Sequence, residues 1–381
     1  MEELQQLEKM NQPISKETRR ILLAVVVVVL VIAYFLYRIF VSFEDYEVSN
    51  TITKEDAEQT SYMDFMDNLL SYSRDGAFYT DYSGNLIWNE TYEMSNPKIE
   101  ICDDKLLLYD KSGTQALIQS VTGNLGTIST TLPIVEADVA GNGNVAVLMQ
   151  EGNTGYLNLY SSEGKVLASG EVHTENTGYP ISLALSSDGE NMMVSLINLN
   201  DGDVKSTVVF YNFGSAGDKQ ENNIVGNFSY SNLVIPEVDY VDGDDAIAFG
   251  DNEIIVFSNT KEPKVKTEHF LSGEMKCVFH NDKYYGVVTS SEDGTNTLGV
   301  YNMKGKRRFE KAIEDVYTKI SFTKTNEVLL TDGEHLTLYT MLGVKKFSYD
   351  FTGGIYQIIP WESYRTYIII EKGKLERIRL K

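Results

Sequence analysis

Seven turn signals at near-constant spacing constrain this chain of 381 residues more than any other feature. They fall at Gly84, Gly123, Gly164, Gly214 or just after it, Lys261, Gly305 and Gly343. The intervals are 39, 41, roughly 50, roughly 47, 44 and 38 residues. Each turn joins two strand-like runs, as in "YLNLYSSEGKVLASG" and "LTLYTMLGVKKFSYD". Gly with Asn, Asp or Ser between β-branched and aromatic runs is hairpin chemistry. Two further strands precede most turns. The first reads "KIEIC", "IVEADV", "ISLALS", "EVDYV", "KCVFH", "KISFT" or "YQIIPW", and the second "KLLLYD", "NVAVLM", "NMMVSL", "AIAFG", "YYGVVTS", "EVLLTD" or "TYIIIEK". Four strands in about 40–50 residues is the length of a propeller blade.

The fold expected is therefore all-β, a β-propeller of eight blades. Seven is the alternative if the two terminal pieces merge into one blade. Residues 69–93 lack an innermost strand, and residues 355–381 lack an outermost one. A four-stranded sheet buries little apolar area alone, whereas a ring packs each sheet on two neighbours and protects most edges. Closure should place residues 355–381 beside residues 69–93, with "KLERIRLK" completing the ring. A pair of β-sandwiches would need long crossovers and would show no single period.

One segment does not belong to this pattern. "ILLAVVVVVLVIAYFLY", residues 21–37, contains no charge, Gly, Pro, Asn or Gln. As a helix it rises roughly 25 Å, near the thickness of a hydrocarbon core. In lipid an isolated span must be helical, because its backbone has to pair within itself. Extension through "RIFVSF" reaches Phe43, with Arg38 able to snorkel and Tyr34 and Tyr37 near the interface. No A-x-A-like cleavage pattern follows, so an uncleaved signal anchor is expected. Lys9, Lys16, Arg19 and Arg20 precede the span, which places the N-terminus in the cytoplasm. The domains expected are a cytoplasmic tail (1–20), a transmembrane anchor (21–43), an acidic stalk (44–68) and an exterior propeller (69–381). The localisation expected is a single-pass protein of the cell membrane with an extracellular C-terminal domain.

Charge narrows the partners. The chain carries a net −22, and its first 41 residues hold five Lys/Arg against four Asp/Glu. The exterior part is strongly acidic, which argues against nucleic acid and against docking on anionic lipid. Cys102 and Cys277 are the only cysteines and make no disulfide framework. They fall on the first strands of the second and sixth units, across the ring from each other. That is farther than the roughly 7 Å a disulfide spans, so two free thiols are expected.

No motif assigns a reaction. There is no CxxC, HExxH, P-loop, Rossmann fingerprint or G-x-S-x-G. His173 and His335 stand alone, and His269 and His280 lie on different strands without ligand spacing. "DYVDGDDAIAFGDN" gathers Asp239, Asp242, Asp244, Asp245 and Asp251, but not in EF-hand order. Hairpin turns account for that cluster and for Asp201 and Asp203. "SSDGENMMV" around Asp188 is similar to a sialidase Asp-box without its Trp, and reads as a turn. The loop "GSAGDKQENN", residues 214–223, is the longest polar insertion, where propellers usually bind partners. The sequence thus gives no catalytic residue, no cofactor and no metal site.

"YSRDGAFYTDYSGNLIWNETYEMSNPKIEIC", "TGYPISLALSSDGENMMVSLINL" and "VVFYNFGSAGD…NNIVGNF", behind a signal anchor, resemble an uncharacterised family of Gram-positive bacterial single-pass proteins. The resemblance implies a propeller-like exterior domain of unknown function in the cell membrane, and carries no site residues over. More distantly the chain is similar to quinoprotein-like and outer-membrane-assembly-scaffold propellers, which are eight-bladed. Quinoproteins repeat docking tryptophans, whereas only Trp88 and Trp361 occur here. The function expected is a membrane-anchored binding or scaffold module for an envelope protein, peptide or wall polymer. A propeller enzyme, such as a glycosidase or metal-dependent hydrolase, is the alternative, and a single-pass sensor the second.

Overall fold

The computed structural model of the chain describes residues 16–53, 60–199, 202–241, 245–314 and 317–381. Its described strands form eight four-stranded antiparallel sheets. Seven blades are continuous in sequence: 61–91, 97–129, 134–173, 179–231, 237–270, 274–313 and 319–350. The eighth takes three strands from 355–380 and its fourth from Tyr46–Thr53. The fold is thus the expected all-β eight-bladed propeller, with one long apolar helix at its N-terminal side, Lys16–Phe40.

Strand position within a blade follows from sequence pattern. Second strands are covered on both faces and read as near-continuous apolar runs. Ile368, Ile369 and Ile370 are fully buried, as are Val145 to Leu148. Outer strands are exposed on alternate residues, as in Arg307–Ile313, "RRFEKAI". First strands pack against the first strands of neighbouring blades around the central axis. The hairpins at Gly84, Gly164, Gly305 and Gly343 all turn through glycines with positive φ. At Gly164 a side chain is excluded twice over, because φ is +78° and a Cβ would lie 2.3 Å from the Thr127 carbonyl of the preceding blade.

Among the described residues the apolar core is divided into eight clusters, each shared by two adjacent blades. One joins Leu107, Tyr109 and Ile118 of blade 2 to Val145, Val147 and Met149 of blade 3. Another joins Tyr62, Leu69 and Tyr82 of blade 1 to Ile359, Ile368 and Ile370 of blade 8. That last cluster is the seam, and it puts residues 355–381 beside the first blade as closure requires.

Residues 44–68 are not a stalk. Tyr46–Thr53 is the outermost strand of blade 8 and pairs with Lys374–Leu380, from Tyr46 opposite Leu380 to Thr53 opposite Lys374. Ser61–Phe65 is the innermost strand of blade 1. The outermost strand of blade 8 and the innermost strand of blade 1 thus both lie in this acidic segment. The physical cause is edge pairing: an open blade 8 would leave Lys374–Leu380 with unpaired N–H and C=O groups. The anchor is corrected as well. Its helix ends at Phe40, and Phe43 is buried between blades 7 and 8, where its N–H donates to the Lys346 carbonyl at 2.8 Å.

A chain ending at Gly373 loses the strand shared by Thr366–Glu371 and Tyr46–Thr53. Its cooperative thermal transition, followed by circular dichroism, is expected to disappear. A melt at the full-length temperature would show that the ring does not close through this sheet.

Candidate functional site: the acidic central channel

First strands turn one edge toward the axis, so their polar side chains meet in the channel. Between blades 2 and 6 this channel widens to a cavity of about 1000 Å³. Its wall carries Glu100 from Pro97–Cys102, Glu136 and Asp138 from Ile134–Val139, and Glu237 and Asp239 from Glu237–Tyr240. Lys111, His280 and Asp282 also line it.

Several of these groups stitch blades together. Asp138 accepts the Leu185 N–H of blade 4 at 2.7 Å and its neighbour Val139 N–H at 2.7 Å. Ser182 donates to Glu136 at 3.3 Å and accepts the Val238 N–H of blade 5 at 3.2 Å. His280 Nε2 lies 3.3 Å from Asp239 and 3.8 Å from Glu237. Its Nδ1 is buried without a partner among the described residues, as is the Tyr240 hydroxyl in the same wall.

Burial makes Glu100, Glu136, Asp138 and Asp239 resist ionisation. Burial raises Glu136 to about 7, against the pull of Lys111 and the Ser182 hydrogen bond. Glu100 is pushed well up by burial and then by Asp138, Asp239, Glu136 and Glu237. Asp138 and Asp239 are raised together, chiefly by burial; Asp138 feels Asp239, and Asp239 feels Glu237 and Asp282. Asp239 still keeps 40 % of its side-chain surface open to the cavity, which moderates the penalty. Burial lowers His280, while Glu237 and Asp282 pull it up. At neutral pH the wall is therefore a partly protonated acidic surface. It accepts hydrogen bonds and attracts cations without the repulsion that full ionisation would bring.

The structure separates the aspartates that the sequence groups. Asp239 faces the channel, Asp245 pairs with Lys266, and Asp251 accepts the Val234 N–H at 3.3 Å. Asp242, Asp244 and Asp201 lie outside the described residues, and Asp203 is exposed. Asp188 closes its own turn, accepting from Ser186 Oγ at 2.6 Å and the Glu190 N–H at 3.0 Å. The loop at 214–223 is held by buried Asn212, whose side-chain oxygen accepts the Gly217 N–H at 2.9 Å. His269, on the outermost strand of blade 5, contacts the Tyr285 hydroxyl at 3.0 Å, and His335 of blade 7 pairs with Asp350; neither lines the cavity. Cys102 and Cys277 are free, on blades 2 and 6. Among the described residues no three His, Cys, Asp or Glu side chains converge as metal ligands.

A model of a family of unknown function, DUF5711, matches residues 39–380. The chain belongs to this family. The match begins near the end of the helix and includes both strands from 44–68, so the family's domain is the whole ring rather than residues 69–381. No curated protein matches the sequence. Among solved structures, BamB from Moraxella catarrhalis is similar at 14 % identity and a TM-score of 0.53, over 88 % of this chain and 100 % of that one. Sqt1 from Saccharomyces cerevisiae is similar at 12 % identity and a TM-score of 0.53, over 88 % and 98 %. At these identities the likeness is one of fold.

Two outcomes test the wall of this DUF5711 propeller. Asp138→Ala leaves the Leu185 N–H without its acceptor and is expected to cost about 1–3 kcal/mol in denaturant unfolding. Asp138→Asn keeps an acceptor oxygen and drops the charge, so it should cost less. Glu136 has a folded pKa above its unfolded value, so its share of stability is present below the unfolded pKa and lost as pH rises through about 7. Glu136→Gln cannot ionise. Its melting temperature minus that of the parent should therefore increase from pH 5 to pH 8.

Proposed function

We propose that this DUF5711 protein is a binding scaffold tethered to the bacterial cell membrane by the helix Lys16–Phe40. Its N-terminus is cytoplasmic, and the propeller lies outside and holds a basic segment of an envelope partner in the channel. The observation that carries the reading is the cavity of about 1000 Å³ walled by Glu100, Glu136, Asp138, Glu237 and Asp239. Lysine or arginine side chains entering it would meet carboxylates whose ionisation they favour, so binding and proton release are linked. The helix supports the tether: 25 residues, strongly apolar and none of them buried.

The full chain in detergent micelles should bind an extended Lys/Arg-rich peptide and not a Glu-rich one. The affinity should fall with salt and release protons at pH 7, measured calorimetrically in buffers of different ionisation heat. Replacing Glu237 and Asp239 with Gln and Asn should weaken binding at least tenfold. Equal binding of both peptides, or none, would remove this reading.

A second reading rests on the same carboxylates. Glu136, raised to about 7 beside other acids, is partly protonated at neutral pH, as a general acid of a glycosidase must be. Turnover of a glycan substrate that Glu136→Gln abolishes would establish it over the scaffold.

A further inference from the structure

The helix and the propeller are joined with almost no slack. Only Val41 and Ser42 separate the helix end at Phe40 from Phe43, which is 3 % exposed within the core between blades 7 and 8. Val41 still donates to the Tyr37 carbonyl at 2.9 Å, so the helical path continues up to the linkage. Two extended residues span about 7 Å at most. Arg38 adds a second tie, its guanidinium lying 4.2 Å from the Tyr364 ring of blade 8. Arg365 stacks 4.7 Å from the Phe43 ring.

These ties fix which face of the ring meets the helix. Phe43 leads into Tyr46–Thr53 at the end where Lys374–Leu380 stops. That is the face formed by the loops between first and second strands and between third and fourth strands. Loop residues Lys324, Leu342, Glu362 and Tyr364 wall a cleft of about 1270 Å³ whose other wall is Tyr34, Phe35 and Ile39 of the helix. Leu342 stands 53 % exposed at the tip of its hairpin, and Met66, on the same face of blade 1, is 52 % exposed. On blades 6 to 8 these loops and the junction after Phe43 carry Lys283, Lys304, Lys306, Lys324, Arg365 and Lys381 against Glu44, Asp45, Asp282, Glu327 and Glu362, and Lys324 is paired with Asp64 and Asp67 of blade 1. The loops of blades 2 to 5 are mainly acidic.

We propose that this face of blades 6 to 8 rests on the phospholipid headgroups of the membrane that the helix crosses, with lipid filling the cleft between helix and ring. The inference rests on the helix being a membrane span. Apolar tips and lysines beside an interfacial Tyr and Arg are the chemistry of a headgroup layer. A connection of two residues leaves no room for water-filled clearance under these blades. The acidic blades 2 to 5, farther round the ring, are the part that headgroups repel. The strongly acidic exterior argues against docking on anionic lipid, but the charge is unevenly distributed, and the helix joins where acidic and basic residues nearly balance.

The full chain is reconstituted in vesicles of phosphatidylethanolamine and phosphatidylglycerol at three to one. A benzophenone amino acid replaces Leu342 in one variant and Glu334 in another. Glu334 is exposed on the opposite face of the same blade. After irradiation, mass spectrometry should find at least tenfold more lipid adduct at 342 than at 334. Adducts that are equal, absent at 342 or made there to protein would overturn the proposal. Alkaline extraction of the same vesicles separates the two levels. Protein that stays in the membrane without lipid adduct refutes only the docked face, whereas protein released by alkali refutes the span and the face together.

Discussion

Among the described residues, no blade in this protein has an apolar core of its own. Each apolar cluster is assembled from two neighbouring blades, so every sheet needs both neighbours to cover its faces. Phe249 and Ile254 of blade 5 are buried only because Tyr285 and Val287 of blade 6 lie against them. Fully buried side chains of this size contribute roughly 1.5–3 kcal/mol each, and an open ring would forfeit that along two exposed faces. Closure is therefore a condition for the remaining interfaces. The strand at Tyr46–Thr53 meets it by giving the last blade its fourth member.

The channel follows from the same arrangement. Blades meeting at their first strands leave an axial space in which no sheet face covers the side chains. Polar groups are tolerated there, and several link one blade to the next. Ser182 shows how: its hydroxyl serves Glu136 on one side and the Val238 N–H on the other, joining blades 3, 4 and 5. The carboxylates are thus both part of the framework and the chemically distinctive surface of the ring. Burial, and then their mutual repulsion, raises the proton affinity of Glu100, Glu136, Asp138 and Asp239, and an acidic wall that is only partly charged is the result.

The repeat was legible because second strands and hairpin turns have strong local signals. "KLLLYD", "NVAVLM" and "TYIIIEK" are buried on both faces, and turns such as the one at Gly164 need a residue without a side chain. "YEVSNTIT" was not legible, since an outermost strand exposes most of its residues and this one follows an acidic stretch; Val48 is 44 % exposed. Its identity as a strand depends on a partner more than 300 residues away, which no local pattern records. The channel acids were visible but unassigned. Glu136-x-Asp138 and Glu237-x-Asp239 occupy the same place in two units, and that repetition was the available signal. Asp239 was instead grouped with its sequence neighbours, because only the ring shows that its strand faces the axis while Asp245 and Asp251 sit in turns. The Tyr240 hydroxyl and His280 Nδ1, buried without partners among the described residues, have no signal in sequence.

The pairing of Tyr46–Thr53 with Lys374–Leu380 also sets a timetable. During synthesis the first of these strands is made before the other seven blades and its partner after them, so it waits through the production of seven blades. Intermediate blades can pack on one another as they emerge, but the seam has nothing to close on until the C-terminal residues are free. Contacts of such long sequence separation form slowly and late. For that interval the nascent protein is an open arc with an exposed sheet edge at each end, and this is when it is most prone to pair with another copy of itself.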